Sequence, residues 1–227
     1  MSNLAIEYII LGITLLITLG AQGYINSCYG QTKRLRNKKN MSGAETARMI
    51  LDTNGLSNVK VVETTGMLSD HYDPRSKVVR LSPDIYTNPS IAAVSVAAHE
   101  CGHAIQDKEG YVFLRIRSSI APIVNLASIA GYIAIFVGIF TMALNLIWLG
   151  IIFELVILFF QLITLPVEIN ASSRALKQIE KLHILDNEER KNSKKMLTAA
   201  ALTYVAAVAT SLLEIVRLVL IFTRNDD

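Results

Sequence analysis

The hydrophobic positions of this chain fall into long unbroken blocks, and charged segments separate the blocks. The first block, LAIEYIILGITLLITLGAQGYI from Leu4 to Ile25, has the length of about 20 residues that a bilayer crossing needs. No Lys or Arg precedes it, and it is longer than the apolar core of a cleaved signal peptide, so it predicts a retained anchor helix. From Ile120 to Val167 the chain runs for 48 residues with Glu154 as its single charge. That length predicts two spans joined by a tight turn near Ala143–Trp148. A fourth block runs from about Leu197 to Phe222.

The segments between the blocks read differently. Residues 41 to about 118 predict a small soluble domain. Ser42 and Glu45 form a capping box, Ala44, Ala47, Ile50 and Leu51 follow at helical spacing, and Asn54–Gly55 ends the helix. VKVVET and KVVRLS are short β-branched strand signals, with the polar LSDHYDPRS between them read as a turn. SIAAVSVAAHECGHAIQ, Ser90 to Gln106, predicts an Ala-rich helix. VEINASSRALKQIEKLHILDNEERKNSKK predicts a second polar helix. The resulting division is an anchor over 1–28, a soluble domain over 29–119, two spans over 120–167, a polar helix over 168–198, and a last span with a short tail over 199–227.

Composition supports a membrane class: 52% of residues are hydrophobic, 18% are charged, and mean hydropathy is +0.39. The net charge of +3 is too small to argue for nucleic acid. Of the 22 basic residues, 20 lie in segments 25–119 and 168–198, which four spans place on one side. The positive-inside rule makes that side the cytoplasm and puts both termini outside. Cys28 and Cys101 are far apart and form no disulfide framework.

The candidate chemistry lies in AAHECGHAIQ, from Ala97 to Gln106. His99 and His103 are four apart, so a helix turns both imidazoles to one face. Glu100 sits beside them, where a carboxylate can take a proton from a zinc-activated water, which is the HExxH arrangement. Gly102 costs helix propensity, about 1 kcal/mol against Ala, so packing or function must require it. A catalytic zinc needs a third protein ligand and an open position. His71, His183 and acidic residues near the membrane surface are all open to that role. Glu168, in LPVEINASSRA just past the third span, is either such a ligand or an interfacial helix-start charge. Cys101 points away from the histidine face and reads as a small buried filler. His183 reads as a solvated helix residue. Glu7, Glu154, Glu214 and Arg217 are costly to bury in spans, and Glu154 has the strongest claim to depth.

DHYDPRSKVVRLS, AAHECGHAIQD and LPVEINASSRA together resemble the YugP-type neutral zinc metallopeptidases, a family of bacterial membrane proteins. The likeness covers most of the chain, including the order of four spans. More distantly it is similar to the HtpX-like and CAAX-prenyl-type membrane proteases, which carry a later Glu ligand in an ExxxD pattern. The resemblance implies Glu168 as the third ligand. Ser172 falls where the Asp is expected, a departure that leaves Ser172 or Asn170 to make the contact behind the metal. It further implies a mainly α, four-span helical membrane protein. A small α+β gluzincin-like zinc protease domain, an HExxH helix plus a short β-hairpin, would lie at the cytoplasmic face of the bacterial inner membrane. Val78, Val79, Arg80 and Leu81 are the candidate edge strand for pairing with substrate, a plain core hairpin being the alternative. His71 or Tyr72 is a candidate for the oxyanion formed in hydrolysis, against a simple turn. The expected function is a membrane-integrated zinc endopeptidase with one Zn²⁺ per chain and Glu100 as general base. It would act on polypeptides, either membrane-protein segments or unfolded chains. The alternative is a non-enzymatic membrane scaffold or adaptor with structural or absent zinc.

Overall fold

The structure is a computed structural model that describes residues 3–224. The first two residues and the end of the expected C-terminal tail lie outside the described residues. The elements are α1 Asn3–Arg34, α2 Gly43–Thr53, β1 Lys60–Glu63, β2 His71–Asp73, β3 Val78–Leu81, α3 Pro83–Thr87, α4 Ile91–Lys108, α5 Val112–Thr141, α6 Leu144–Lys181 and α7 Asn187–Arg224. Helices α1, α5, α6 and α7 are long and apolar enough to cross a membrane. α1 runs past Ile25 to Arg34, and Lys33 and Arg34 in its last turn complement the helix dipole. α5 and α6 are joined at Met142, whose left-handed φ of 52° turns the chain.

One compact unit takes the described parts of Met1–Gln22, Ile116–Leu165 and Leu202–Asp227. Its buried centre is Ile147, Ile151, Leu218 and Ile221. Gly150 lets α5 and α6 approach closely, because a methyl there would stand 2.3 Å from Cγ1 of Ile135. Leu126, Phe136 and Phe140 are at least 65% exposed, an uncovered apolar face of the kind that lipid covers. Ionisable groups within these helices find partners: Ser211 bonds Glu154, and Arg217 reaches both carboxylate oxygens of Glu214 at 2.8 and 2.5 Å.

The second unit takes Gly23–Arg115 and Pro166–Ala201. Its central element is α4. Ala92, Ala93, Ala97, Ala98, Cys101 and Ala104 are all fully buried, so the helix is covered nearly all round. Small side chains make that possible, since neighbouring helices can come close on every face. Ile50 and Leu51 of α2, Ile179 of α6 and Leu197 of α7 complete the core. α2 starts where the sequence predicts: Glu45 N–H donates to Ser42 Oγ at 3.2 Å, and Ser42 N–H donates to Glu45 Oε2 at 2.8 Å. Ser90 caps α4 through a bond from Ala93 N–H at 3.0 Å.

The sheet differs from the expected hairpin. Its order is β1-β3-β2, with β1 parallel to β3 and β2 antiparallel to it in the register His71↔Arg80, Tyr72↔Val79, Asp73↔Val78. The two strand-like runs of the sequence are therefore parallel neighbours. The hairpin partner of β3 is His71–Asp73, within the segment read as a turn. Three polar-flanked residues carry too little hydrophobic signal to be seen, and only Tyr72 among them is buried. As the central strand, β3 has its backbone groups engaged on both sides. Val78, Val79, Arg80 and Leu81 thus offer no substrate edge; the outer strands of the sheet are β1 and β2.

Candidate metal centre

The site is built from two helices of the second unit. α4 brings His99 and His103 to one face, one turn apart, with ring centroids 4.8 Å apart and planes near perpendicular. α6 carries Glu168, buried at 3% exposure. Oε2 of Glu168 lies 3.1 Å from His99 Nε2 and 3.6 Å from His103 Nε2. The three residues offer ligand atoms that all lie within 4.8 Å of one another. Among the described residues no other such group of His, Cys, Asp or Glu occurs.

Gly102 makes the approach of the two helices close. A Cβ at this position would stand 2.5 Å from the carbonyl oxygen of Ala171, three residues past Glu168. Real Cβ atoms essentially never come within 3.0 Å of such an atom, so only glycine fits. The helix-propensity cost noted in the sequence is what allows α4 and α6 to meet here.

The ring nitrogens facing away from Glu168 are also occupied. His99 Nδ1 is 3.1 Å from Ser172 Oγ, and His103 Nδ1 is 3.0 Å from Gln106 Oε1. Fully buried Gln106 donates through Nε2 to the Val167 carbonyl at 2.8 Å and to Asn170 Oδ1 at 2.9 Å. Arg174 Nε donates to the same Asn170 oxygen at 2.7 Å, and Arg174 pairs with Glu109 at 2.7 Å. Glu100 is buried, and its Oε2 accepts from the backbone N–H of Tyr72 on β2 at 2.9 Å. Burial pushes the Glu100 carboxyl above the usual range. His99 opposes this, nearby Glu168 and Asp70 reinforce it, and the Tyr72 N–H opposes it.

Over residues 7–223 the chain matches the family described as "Putative neutral zinc metallopeptidase". The chain belongs to this family. Among curated proteins, the chain is 47% identical over 211 residues to "Putative membrane protease YugP" of Bacillus subtilis (strain 168). The match spans 93% of the chain and 94% of that protein. No solved structure matches. The resemblance read from the three motifs therefore holds.

Zinc is the metal that a zinc metallopeptidase family implies, and the donor set suits it. Two imidazole nitrogens and one carboxylate oxygen are zinc donors. Donors about 2.0–2.1 Å from a tetrahedral ion stand about 3.3–3.4 Å apart, between the two measured nitrogen–oxygen separations. Without a cation or a proton, two ring lone pairs would face a carboxylate at contact distance.

The remaining candidates from the sequence are placed elsewhere or differently. His71 is exposed on β2, with its Nδ1 2.7 Å from the Ser69 carbonyl. His183 is exposed, in a turn at a left-handed φ of 51°. Neither belongs to the group around Glu168. The Tyr72 hydroxyl donates to Asp107 at 2.6 Å, and burial and that bond raise the phenol well above its ordinary value. The contribution of Tyr72 beside Glu100 is thus a backbone N–H. Cys101 is buried with Sγ 3.6 Å from the Ala47 carbonyl, and burial pushes its thiol up, as a packing residue requires. Ser172 itself meets His99, and Asn170 meets Gln106. Gln106 was missed in the sequence; its signal was the i+3 spacing from His103, which puts the two on one face.

Proposed function

We propose that the chain is a membrane-integrated zinc endopeptidase, hydrolysing peptide bonds near the cytoplasmic face of the bacterial inner membrane. The observation that carries this reading is the convergence of His99, His103 and Glu168 beside a buried carboxylate, Glu100, in a chain of this family. His99 and His103, through Nε2, and Glu168, through its carboxylate, would hold one Zn²⁺ per chain. When bound, zinc polarises a substrate carbonyl and lowers the pKa of water toward about 7.

Glu100 accepts the proton that the attacking water loses, then donates it to the leaving amine. Its raised carboxyl suits both halves of that duty, since a group nearer neutrality can take a proton and give it back. The Tyr72 N–H holds one carboxylate oxygen of Glu100 in place. Ser172 and Gln106 hold the two imidazoles from behind.

The sidedness rests on the basic residues gathered into 25–119 and 168–198. Glu168 lies on the same continuous helix as the apolar third span, which favours substrates near the bilayer: loops of membrane proteins or unfolded chains. The similar protein of B. subtilis carries the name of a membrane protease, in keeping with this.

The test is detergent-purified protein, assayed for metal content and for cleavage of an unfolded reporter polypeptide. Wild type should hold one zinc per chain and cleave. Glu100→Gln should keep the zinc and lose about 10²–10⁴ of the rate, the range of general acid–base catalysis. Full activity in that variant would sink the mechanism, and wild type without tightly bound metal would favour the scaffold.

A further inference from the structure

Resting on the peptidase reading, the geometry points to a relay of positioning residues, Arg174–Asn170–Gln106, that fixes which nitrogen of His103 is free for the metal. The relay starts at a group that can only donate. Arg174 is a guanidinium with no acceptor, and its Nε points at Asn170 Oδ1 at 2.7 Å. The side chain of Asn170 is thereby oriented with its oxygen toward Arg174. That same oxygen receives Gln106 Nε2 at 2.9 Å, so Gln106 turns its amino group this way. The Val167 carbonyl, which can only accept, receives Gln106 Nε2 at 2.8 Å and sets the same orientation independently. With its amino group committed twice, Gln106 presents Oε1 to His103 Nδ1 at 3.0 Å. An amide oxygen accepts only, so Nδ1 must carry the proton. In a neutral ring the Nε2 lone pair is then left facing Glu168 Oε2, 3.6 Å away.

His99 has no such instruction. Its Nδ1 partner is Ser172 Oγ at 3.1 Å, and a hydroxyl both donates and accepts. The residue standing where the resembled proteases place an Asp thus leaves His99 able to take either tautomer. His103 is the histidine held in register in advance, and Arg174 holds it through two amides. Glu109 pairs with Arg174 at 2.7 Å and anchors the far end of the relay at the C-terminal cap of α4.

This logic makes opposite demands on the two amides. Asn170 uses only its oxygen, so Asp can replace it. Gln106 uses both its ends, so no acid can. The experiment compares wild type, Asn170→Asp and Asn170→Ala in detergent. Zinc Kd is measured by chelator competition. The exchange-protected imidazole N–H resonances of the zinc-loaded protein are followed by proton NMR. Asn170→Ala should weaken zinc by about tenfold or more, the usual cost of losing support behind a ligand. It should also abolish the exchange-protected His103 Nδ1–H signal. Asn170→Asp should keep both near wild type. Equal zinc affinity in wild type and Asn170→Ala would overturn the relay while leaving the peptidase reading intact. Loss in Asn170→Asp equal to that in Asn170→Ala would also overturn it, since mere packing would then explain both. Wild type that binds no zinc would instead take down the peptidase reading and the relay with it.

Discussion

Gly102→Ala isolates what the close packing of α4 and α6 does for the site. A methyl at this position would lie 2.5 Å from the Ala171 carbonyl oxygen, where contacts under 3.0 Å essentially never occur and ordinary contact starts at 3.4 Å, so the helices must part by about 0.5–0.9 Å. Both partners are helix backbone, so no flexible side chain can absorb the shift. Zinc sites tolerate departures of about 0.2 Å in ligand distance, less than half of that displacement. Glu168, one turn before Ala171 on the same helix, moves with it. Stability should change much less. Overpacking costs about 1–3 kcal/mol. Ala in place of Gly in a helix returns about 1 kcal/mol. The net loss of about 0–2 kcal/mol is smaller than the stability of an ordinary domain. The variant should therefore fold, and its zinc affinity should fall by more than the tenfold to hundredfold typical of changes behind a ligand. Chelator competition gives the affinity, and thermal unfolding of the metal-free protein gives the fold. Wild-type zinc affinity in a folded Gly102→Ala protein would refute the claim that helix approach sets the site.

Glu168→Ala should strip tight zinc binding while leaving the chain folded, as metal analysis after dialysis would report; full retention would remove Glu168 from the ligand set. Leu51→Ala opens a fully buried position in the core beneath α4 and should cost about 2–5 kcal/mol in denaturant unfolding. Asp73 is held well below the ordinary aspartate range by the Ser76 hydroxyl and the backbone N–H groups of Arg75 and Ser76. A depressed native value means stability that is present above the unfolded value near 3.9 and is lost as pH falls through the native one. Asp73→Asn should therefore be less stable than wild type at neutral pH, and the gap should narrow on acidification; a gap independent of pH would refute the assignment.

What could be read in advance was what the chain specifies locally. A span needs only its own apolar residues, and the capping box of α2 lies within four positions, Ser42 to Glu45. The two histidines share a face because of helix geometry alone. What could not be read was decided by residues far away. β2 is three residues long, and it exists as a strand because β3 pairs with it. The central place of β3 follows from β1 joining it on the other side, a choice invisible in either run by itself. Glu168 is 69 positions from His99, and spacing left it as one of several acids; the resemblance of its surroundings singled it out. Gln106 looked like the polar end of a helix, because its partners Val167 and Asn170 come from another element.

The same separation has a consequence for the chain as it is made. At a synthesis rate of about 5–20 residues per second, the 69 positions between His99 and Glu168 take roughly 3–14 s to translate. Through that interval both histidines and Glu100 already exist, but the third donor does not. The two intervening apolar blocks, in α5 and the first part of α6, are made in the same interval. A nascent chain therefore carries the histidine pair before the donor that would complete the metal centre. On the proposed peptidase reading, the metal centre would be complete, and hydrolysis would begin, only once the chain has been made through Glu168.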